Sequence, residues 1–180
     1  MAQTRSGAWI QTYTGVQFWP MDARPEEVCI EDIAHALSML CRFNGHCRRF
    51  YSVAEHSVHV SRVVAEHEAR WGLLHDAAEA YLSDLPKPVK RELPVFHLWE
   101  ERLLEVIAVR FGLDPVHPTE GVKQADMALL ASERAVLMGP EPAPWCALPD
   151  PVPGLVIVGW SPEQAKQHFM ERFAALFPQG

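Results

Sequence analysis

The sequence has no run of about 18 apolar residues, the length that a membrane-spanning helix requires, and no apolar N-terminal segment of the secretory type. Positive charge is also scarce: 16 lysines and arginines stand against 23 aspartates and glutamates, for a net charge of −7. Broad binding to duplex nucleic acid needs a basic surface, so this charge argues against it. We therefore expect a cytoplasmic protein without a membrane or nucleic-acid polymer as partner. A small anionic substrate remains compatible, since a metal ion and a few lysines can reverse the local field.

The four cysteines (Cys29, Cys41, Cys47 and Cys146) form no CxxC pair. Cys41 and Cys47, with His46 between them, have the residue types of a zinc knuckle. Scattered thiols in a reduced intracellular protein are the interpretation that we favour.

The length of 180 residues suits one domain with a sizeable core. Apolar residues at helical spacing predict an all-α fold, a single helical bundle without internal repeats. Ser52 and Glu55 have the spacing of a capping box at the start of one helix. Ser161 and Pro162 have the residue types of an N-cap and first position at the start of the last helix. The predicted helices cover about 30–40, 52–64, 69–82, 97–111, 122–138 and 161–176.

Three segments fall outside this helical pattern. Residues 1–27 carry aromatic and β-branched side chains around Gly15, which predicts a short hairpin or an extended arm. Residues 139–153 are rich in proline and form a loop too long for an ordinary connection. The run Leu155–Val158 predicts one short strand that could pair with the N-terminal arm.

The most informative motif is Leu73-Leu74-His75-Asp76-Ala77-Ala78-Glu79. It places an imidazole and a carboxylate side by side in an apolar helical setting. Glu79 lies four residues after His75 and three after Asp76, so it shares their helical face. Ligands of this kind, with a second carboxylate one turn away, are typical of a metal-activated hydrolase.

Two further residues complete a possible ligand set. His56 lies on the helix before the motif, and Asp126 lies on a much later apolar helix. A charged aspartate in an apolar helix is costly unless it is paired, and a metal would explain it. Surface pairing with Lys123 is the simpler explanation of Asp126 taken alone. Together with His56, His75 and Asp76 it forms a set of two imidazoles and two carboxylates.

The order His…His-Asp…Asp resembles the HD-domain superfamily of metal-dependent phosphohydrolases over roughly residues 30–137. The similarity extends to Arg42-Phe43, to the run 51–57 (Tyr-Ser-Val-Ala-Glu-His-Ser) and to the run 84–90 (Asp-Leu-Pro-Lys-Pro-Val-Lys). These motifs resemble the nucleotide-hydrolysing branch, which includes 5′-deoxynucleotidases and short phage and bacterial deoxynucleoside triphosphate triphosphohydrolases. The resemblance implies an HD-type helical bundle, one HD domain over residues 1–180.

The resemblance also implies roles for particular residues. His56, His75, Asp76 and Asp126 would bind the metal, and the acidic residues Glu79 and Asp84 would lie beside the attacked phosphorus. We expect Glu79 to orient or deprotonate a water, and Asp84 to protonate the leaving oxygen or to hold a ribose or second metal. A surface carboxylate at 79 and a turn-forming aspartate at 84 are the structural alternatives.

Candidate substrate-binding residues surround this set. Lys87, Lys90 and Lys123 are natural clamps for a polyphosphate, although solvated surface lysines are the alternative. Arg42 and Phe43 could stack on or hydrogen-bond a base, or Phe43 could belong to the core. The metal could be Co²⁺, Mn²⁺, Zn²⁺, Fe²⁺ or Mg²⁺, because this donor set accepts several ions.

The expected function is deoxynucleotide hydrolysis, with a preference for a dNTP triphosphohydrolase of the dATP type that releases deoxynucleoside and triphosphate. That preference rests on the lysines and the short chain. A 5′-deoxynucleotidase acting on dNMPs is the first alternative. A cyclic-nucleotide or alarmone phosphodiesterase would need a longer chain, and a non-catalytic nucleotide-binding module with a relic site would not need all four ligands. The resemblance implies a homo-oligomer.

Overall fold

A short antiparallel hairpin opens the computed structural model, which describes residues 5–114, 117–145 and 147–178. Strands β1 (Ile10–Gln11) and β2 (Gln17–Phe18) pair with Ile10 opposite Phe18. The hairpin lies on the helical body, where the ring of Tyr13 stacks on His35 at 3.7 Å. The predicted N-terminal hairpin is confirmed.

In the described residues, eight α-helices follow the hairpin, together with 3₁₀ turns at Pro20–Asp22, Pro25–Glu27, Arg42–Gly45 and Glu66–Glu68. The all-α fold is confirmed. The helices are α1 (Ile30–Met39), α2 (Val53–Val63), α3 (Ala69–Leu74), α4 (Glu79–Leu82), α5 (Lys87–Arg91), α6 (Pro94–Phe111), α7 (Glu120–Leu137) and α8 (Pro162–Leu176). No helix in the described parts of the chain is long and apolar enough to cross a membrane.

Helix α2 is the central element of the bundle. Each residue from Val53 to Ser61 is buried, because α1, α3, α7 and α8 all pack against this helix. Burial on every face is typical of a core helix rather than an amphipathic surface helix. A functional group on α2 is therefore held by neighbours on all sides.

The crossing of α2 and α3 depends on Gly72. A Cβ atom at this position would lie 2.8 Å from the Cα of Ser61 and 3.0 Å from Cγ2 of Val64. Because the first of these atoms is backbone, only a glycine lets the two helices approach this closely. The close approach brings the end of α3, where His75 follows, against α2.

The prediction of one continuous helix over residues 69–82 is wrong, because the helix is interrupted near its centre. Helix α3 ends at Leu74 and α4 begins at Glu79, and residues 75–78 form a turn. The bonds from Ala77 N to Leu74 O and from Glu79 N to Asp76 O span three residues, so this turn is wound more tightly than an α-helix. Two further boundaries differ from prediction, since α6 begins at Pro94 and α7 at Glu120.

The predicted strand at Leu155–Val158 is also wrong. This segment has no strand partner, and the amides of Val158, Gly159 and Trp160 instead donate to the buried carboxylate of Glu55 at 2.6–3.1 Å. Glu55 consequently does not complete the predicted capping box. Only the half in which Ser52 Oγ accepts from the Glu55 amide is formed.

The predicted long connection after α7 is present, with no regular element over 139–145 or 147–161. Ser132 Oγ accepts a hydrogen bond from the amide of Val152 at 2.8 Å, which fastens this loop to α7. At its end, Ser161 and Gln164 form a full capping box that starts α8. Cys146 lies outside the described residues.

Candidate metal centre

The four predicted ligands converge although they come from three places in the fold. His56 lies on α2, His75 and Asp76 lie in the turn after α3, and Asp126 lies on α7. His56 Nε2 is 3.1 Å from Asp126 Oδ1 and 3.3 Å from His75 Nε2. Asp76 Oδ2 lies 3.3 Å from His75 Nε2 and 3.7 Å from His56 Nε2.

These distances match the spacing of atoms that share one ion. Donor atoms each about 2.0–2.2 Å from a metal lie roughly 3–3.5 Å from one another. His56 Nε2 has this spacing to both His75 Nε2 and Asp126 Oδ1, and the three donor atoms all lie within 4.8 Å of one another. Two imidazoles and a carboxylate suit a first-row divalent ion, and Asp76 is the adjacent fourth donor. The residues therefore fit a bound metal.

The centre is open on one side. The side chain of His56 is fully buried and that of His75 nearly so, whereas Asp76 is 20% and Asp126 36% exposed. Solvent and a substrate can therefore reach the centre from the side of the two aspartates. A catalytic metal needs such an open side, in contrast to a closed structural site.

Arg42 supplies the positive charge beside the two aspartates. Its Nη1 lies 3.7 Å from Asp76 Oδ2, and its Nη2 lies 4.0 Å from Asp126 Oδ1. Burial alone would raise the pKa of both carboxyls, but for Asp76 the opposing effect of His75, His56 and Arg42 lowers the pKa far below its usual range. His56 and His75 lower the pKa of Asp126 to about 2. Both carboxylates are thus ionised at neutral pH, as metal ligands must be.

Glu133 lies behind His56, on the side away from the aspartates. It is fully buried, and its Oε1 is 2.6 Å from His56 Nδ1. Tyr51 donates its hydroxyl to Oε1 at 2.9 Å, and Arg42 donates Nε to Oε2 at 3.0 Å. Although burial opposes ionisation, Arg42 and His56 lower the pKa of Glu133 to about 2. The free-energy cost of burying this carboxylate is offset because each of its polar contacts is with a hydrogen-bond donor.

Glu79 has the opposite electrostatic environment. Burial, followed by the charges of Asp76 and Asp84, raises its pKa well above the usual range, and Lys90 only partly offsets this. Its Oε1 accepts from Lys90 Nζ at 3.0 Å, while Oε2 is buried without a hydrogen-bond partner. Glu79 lines a cavity of about 210 Å³ together with the ligands His75 and Asp76.

Two relatives cover almost the whole chain. The uncharacterized protein YfdR of Escherichia coli K12 is 40% identical over 169 residues, which are 92% of this chain and 94% of that protein. The chain belongs to the YfdR family. The uncharacterized protein RCAP_rcc00048 of Rhodobacter capsulatus is 33% identical over 187 residues, 94% of this chain and 95% of that protein. No protein-family model matches the chain.

The predicted substrate-binding residues have different surroundings in this YfdR-family chain. Arg42 lies among the carboxylates, and Lys90 lies between Glu79 and Glu100, whose Oε1 it contacts at 2.7 Å. Both cations are thus neutralised within the protein. Lys87 and Lys123 are exposed, and Lys87 Nζ contacts Sδ of Met127, the neighbour of Asp126, at 3.7 Å.

Phe43 and Asp84 are less closely connected with the centre. Phe43 packs beside Tyr51 and Leu137 in a small apolar cluster, which agrees with the core alternative. Its φ of 55° begins a left-handed turn that continues through Asn44. Asp84 is half-buried, and burial is the first cause that raises its pKa, with Asp76 adding to it.

The alternative zinc knuckle finds no support. Cys41 Sγ and Cys47 Sγ lie 3.4 Å apart, but His46 is exposed. Over the described ranges, the His, Cys and acidic side chains near enough to share an ion are His56, His75 and Asp126.

Two buried carboxylates at this site were not predicted from the sequence. Glu133 lies seven residues after Asp126, two helical turns along the same face of α7, and this spacing is the signal that could have revealed it. Glu55 was interpreted only as part of a cap. The roles of both residues escaped sequence reasoning because their partners are 77 to 105 residues away in the sequence.

Proposed function

We propose that this protein is a metal-dependent deoxynucleotide phosphohydrolase of the HD-domain type. The observation that carries the proposal is the convergence of His56, His75 and Asp126 at distances that suit one ion, with Asp76 Oδ2 3.3 Å from His75 Nε2. This is the order His…His-Asp…Asp of the HD superfamily. A relic site would have no reason to keep two ionised aspartates and two buried imidazoles together.

The bound ion would polarise a phosphate oxygen and lower the pKa of a water. The chain's own residues supply the remaining requirements. Glu79 lines the cavity next to the ligands, and burial together with the charges of Asp76 and Asp84 raises its pKa. Asp84, whose pKa burial also raises, is the second acidic group near the centre. Protonation of the leaving 5′-oxygen needs a group of this kind.

The preferred substrate class is a deoxynucleoside triphosphate. Lys87 and Lys123 are exposed, Lys87 contacts the neighbour of Asp126, and Lys123 precedes Asp126 by three residues on α7, so both can neutralise a polyphosphate near this ligand. Lys90 and Arg42 contribute less than the sequence alone predicted, because their charges are already matched by carboxylates. A dNMP, with one phosphate to neutralise, is therefore the alternative substrate.

A panel of dNTPs, NTPs and dNMPs, each with Co²⁺, Mn²⁺, Zn²⁺, Fe²⁺ and Mg²⁺, tests this function. We expect a dNTP such as dATP to yield deoxynucleoside and tripolyphosphate, resolved by ion-pair chromatography. Tripolyphosphate gives a phosphate signal only after exopolyphosphatase is added. Orthophosphate released directly from dAMP or dGMP would contradict the triphosphate preference and support the 5′-deoxynucleotidase.

A variant of one proposed metal ligand and a matched control distinguish hydrolysis by this protein from hydrolysis by a contaminating enzyme. Asp126→Asn should lose at least about 100-fold in rate, because it removes a charged ligand. Asp150→Asn, an exposed aspartate in the Pro-rich loop, should retain full activity. Absence of hydrolysis with every metal and nucleotide, together with no metal binding, would rule out the enzyme.

A further inference from the structure

We propose that Glu133 is a positioning residue that fixes the imidazole of His56 with Nε2 directed at the metal, and that Tyr51 and Arg42 hold it in place. This inference rests on the metal centre of the proposed function. Glu133, Tyr51 and Arg42 form a group of residues behind the four proposed ligands that is not part of the His…His-Asp…Asp order.

The tautomer of His56 follows from its two neighbours. A neutral imidazole carries one N–H, and a carboxylate can only accept. Because Glu133 Oε1 lies 2.6 Å from Nδ1, Nδ1 keeps its proton, and Nε2 is the nitrogen that presents a lone pair when an ion is bound. Nε2 is the atom that faces His75 and Asp126. The carboxylate therefore selects the one tautomer that can bind an ion at the centre.

The carboxylate of Glu133 is itself immobilised. Oε1 accepts from Tyr51, and Oε2 accepts from both Nε and Nη2 of Arg42 at 3.0 Å. With no exposed surface, the group has no competing water. Its orientation is therefore set by the fold, before any ion is bound.

Arg42 extends the same network to the other ligands. One guanidinium contacts Glu133 and reaches towards Asp76 and Asp126 at 3.7 and 4.0 Å. It thereby links the group behind His56 with the two aspartates in front. A carboxylate with only a packing role would not need to connect three of the four ligands.

Glu133→Gln tests the proposal through metal binding and not through activity alone. We expect Co²⁺ affinity, measured by competition with a chromophoric chelator, to fall about 10–100-fold, as when other groups behind metal-binding histidines are removed. In the metal-free protein, the downfield N–H resonance of His56 should shift upfield or vanish. Glu141→Gln, which changes an exposed glutamate that pairs with Arg134, should alter neither measurement.

The outcomes distinguish this inference from the proposed function. Wild-type affinity in a folded Glu133→Gln variant overturns the positioning role while the metal centre stands. A wild-type protein that binds no Co²⁺ overturns both. If Glu133→Gln does not fold, Tyr51→Phe removes one hydrogen bond to Glu133 and leaves its ion pairs intact. That variant should bind Co²⁺ severalfold more weakly, and unchanged affinity would overturn the inference.

Discussion

Buried acids around His56 fall into two groups according to their pKa values. Asp76, Asp126 and Glu133 contact cations or donors, and their pKa values are lowered despite burial. Glu79 and Asp84 lie near other carboxylates, and their pKa values are raised. Separation of this kind suits the first group to an anionic role and, under the proposed function, the second group to proton transfer. The difference arises from neighbours, since all five side chains are chemically alike.

The pKa of His56 predicts how the metal-free protein responds to pH. Burial and Arg42 oppose its charge, but Glu133 and Asp126 outweigh them and raise the pKa from 6.5 to about 9. A raised pKa contributes stability that is complete below pH 6.5 and is lost as pH rises through 9. We expect the unfolding free energy, measured by urea titration in EDTA, to fall by roughly 3 kcal/mol over this range.

Two variants isolate the contribution of His56. His56→Gln should remove most of the decline between pH 6.5 and 9, because no imidazole remains to lose a proton at this position. His97→Gln, at an exposed position on α6, should keep it. An equal decline in His56→Gln and the wild type would show that another group is responsible.

At the scale of elements, the metal centre depends on how closely α2 and α3 approach. Gly72→Ala would place a methyl group 2.8 Å from the backbone of Ser61 and force the helices apart. Overpacking costs about 1–3 kcal/mol. Alanine recovers up to about 1 kcal/mol of helix propensity. We expect a net loss of roughly 1–2 kcal/mol in urea unfolding.

A matched glycine provides the comparison for that variant. A Cβ at Gly139 would meet only the Nη2 of Arg48, at 3.9 Å, so Gly139→Ala should change stability by less than about 0.5 kcal/mol. Gly72→Ala should also weaken Co²⁺ binding, because His75 Nδ1 is 3.0 Å from the carbonyl of residue 72. Wild-type stability for Gly72→Ala would mean that the crossing is less rigid than its contacts imply.

The sequence predicted most elements but not their interruptions. Apolar periodicity identified the long helices because it records which face is buried. It could not reveal the turn at 75–78, whose residues are all compatible with a helix. It also misassigned Leu155–Val158, a β-branched run that forms no strand, because Glu55, about 100 residues earlier, binds the amides at and just after its end. The secondary-structure propensity of a short segment carries no information about partners so distant in the sequence.

For the molecule as a whole, a metal would join α2, α7 and the turn after α3. A ligand that binds only the folded state stabilises it by about 2.7 kcal/mol at a hundredfold excess over Kd. For a domain of this size we expect Tm to rise by roughly 5–10 °C, measured by calorimetry with Co²⁺.

The ligand variant should abolish most of that rise. Asp126→Asn removes a charged donor, whereas Asp150→Asn leaves the centre intact and should show the wild-type shift. A rise of equal size in Asp126→Asn would indicate that the ion stabilises the protein somewhere else.

The sequence predicted the proposed metal ligands but not the residues that hold them in position. The four ligands carry a recognisable order, so His56, His75, Asp76 and Asp126 could be named before any coordinates. Glu133 could not, because its partners are Arg42, Tyr51 and His56, 77 to 91 residues earlier. Lys90 was assigned to substrate because its partner Glu100 has no motif to mark it. Charge pairing between helices is a property of the fold.

The carboxylate of Glu55 has a kinetic consequence. Glu55 precedes His56 in the sequence, yet the three backbone amides that donate hydrogen bonds to its carboxylate belong to residues 158–160, more than 100 positions later. Contacts so distant in sequence carry a large loop-closure entropy and form slowly. During synthesis, the segment that fastens α2 emerges about 100 residues after Glu55. The nascent protein therefore secures α2 only after α3 to α7 have been synthesised.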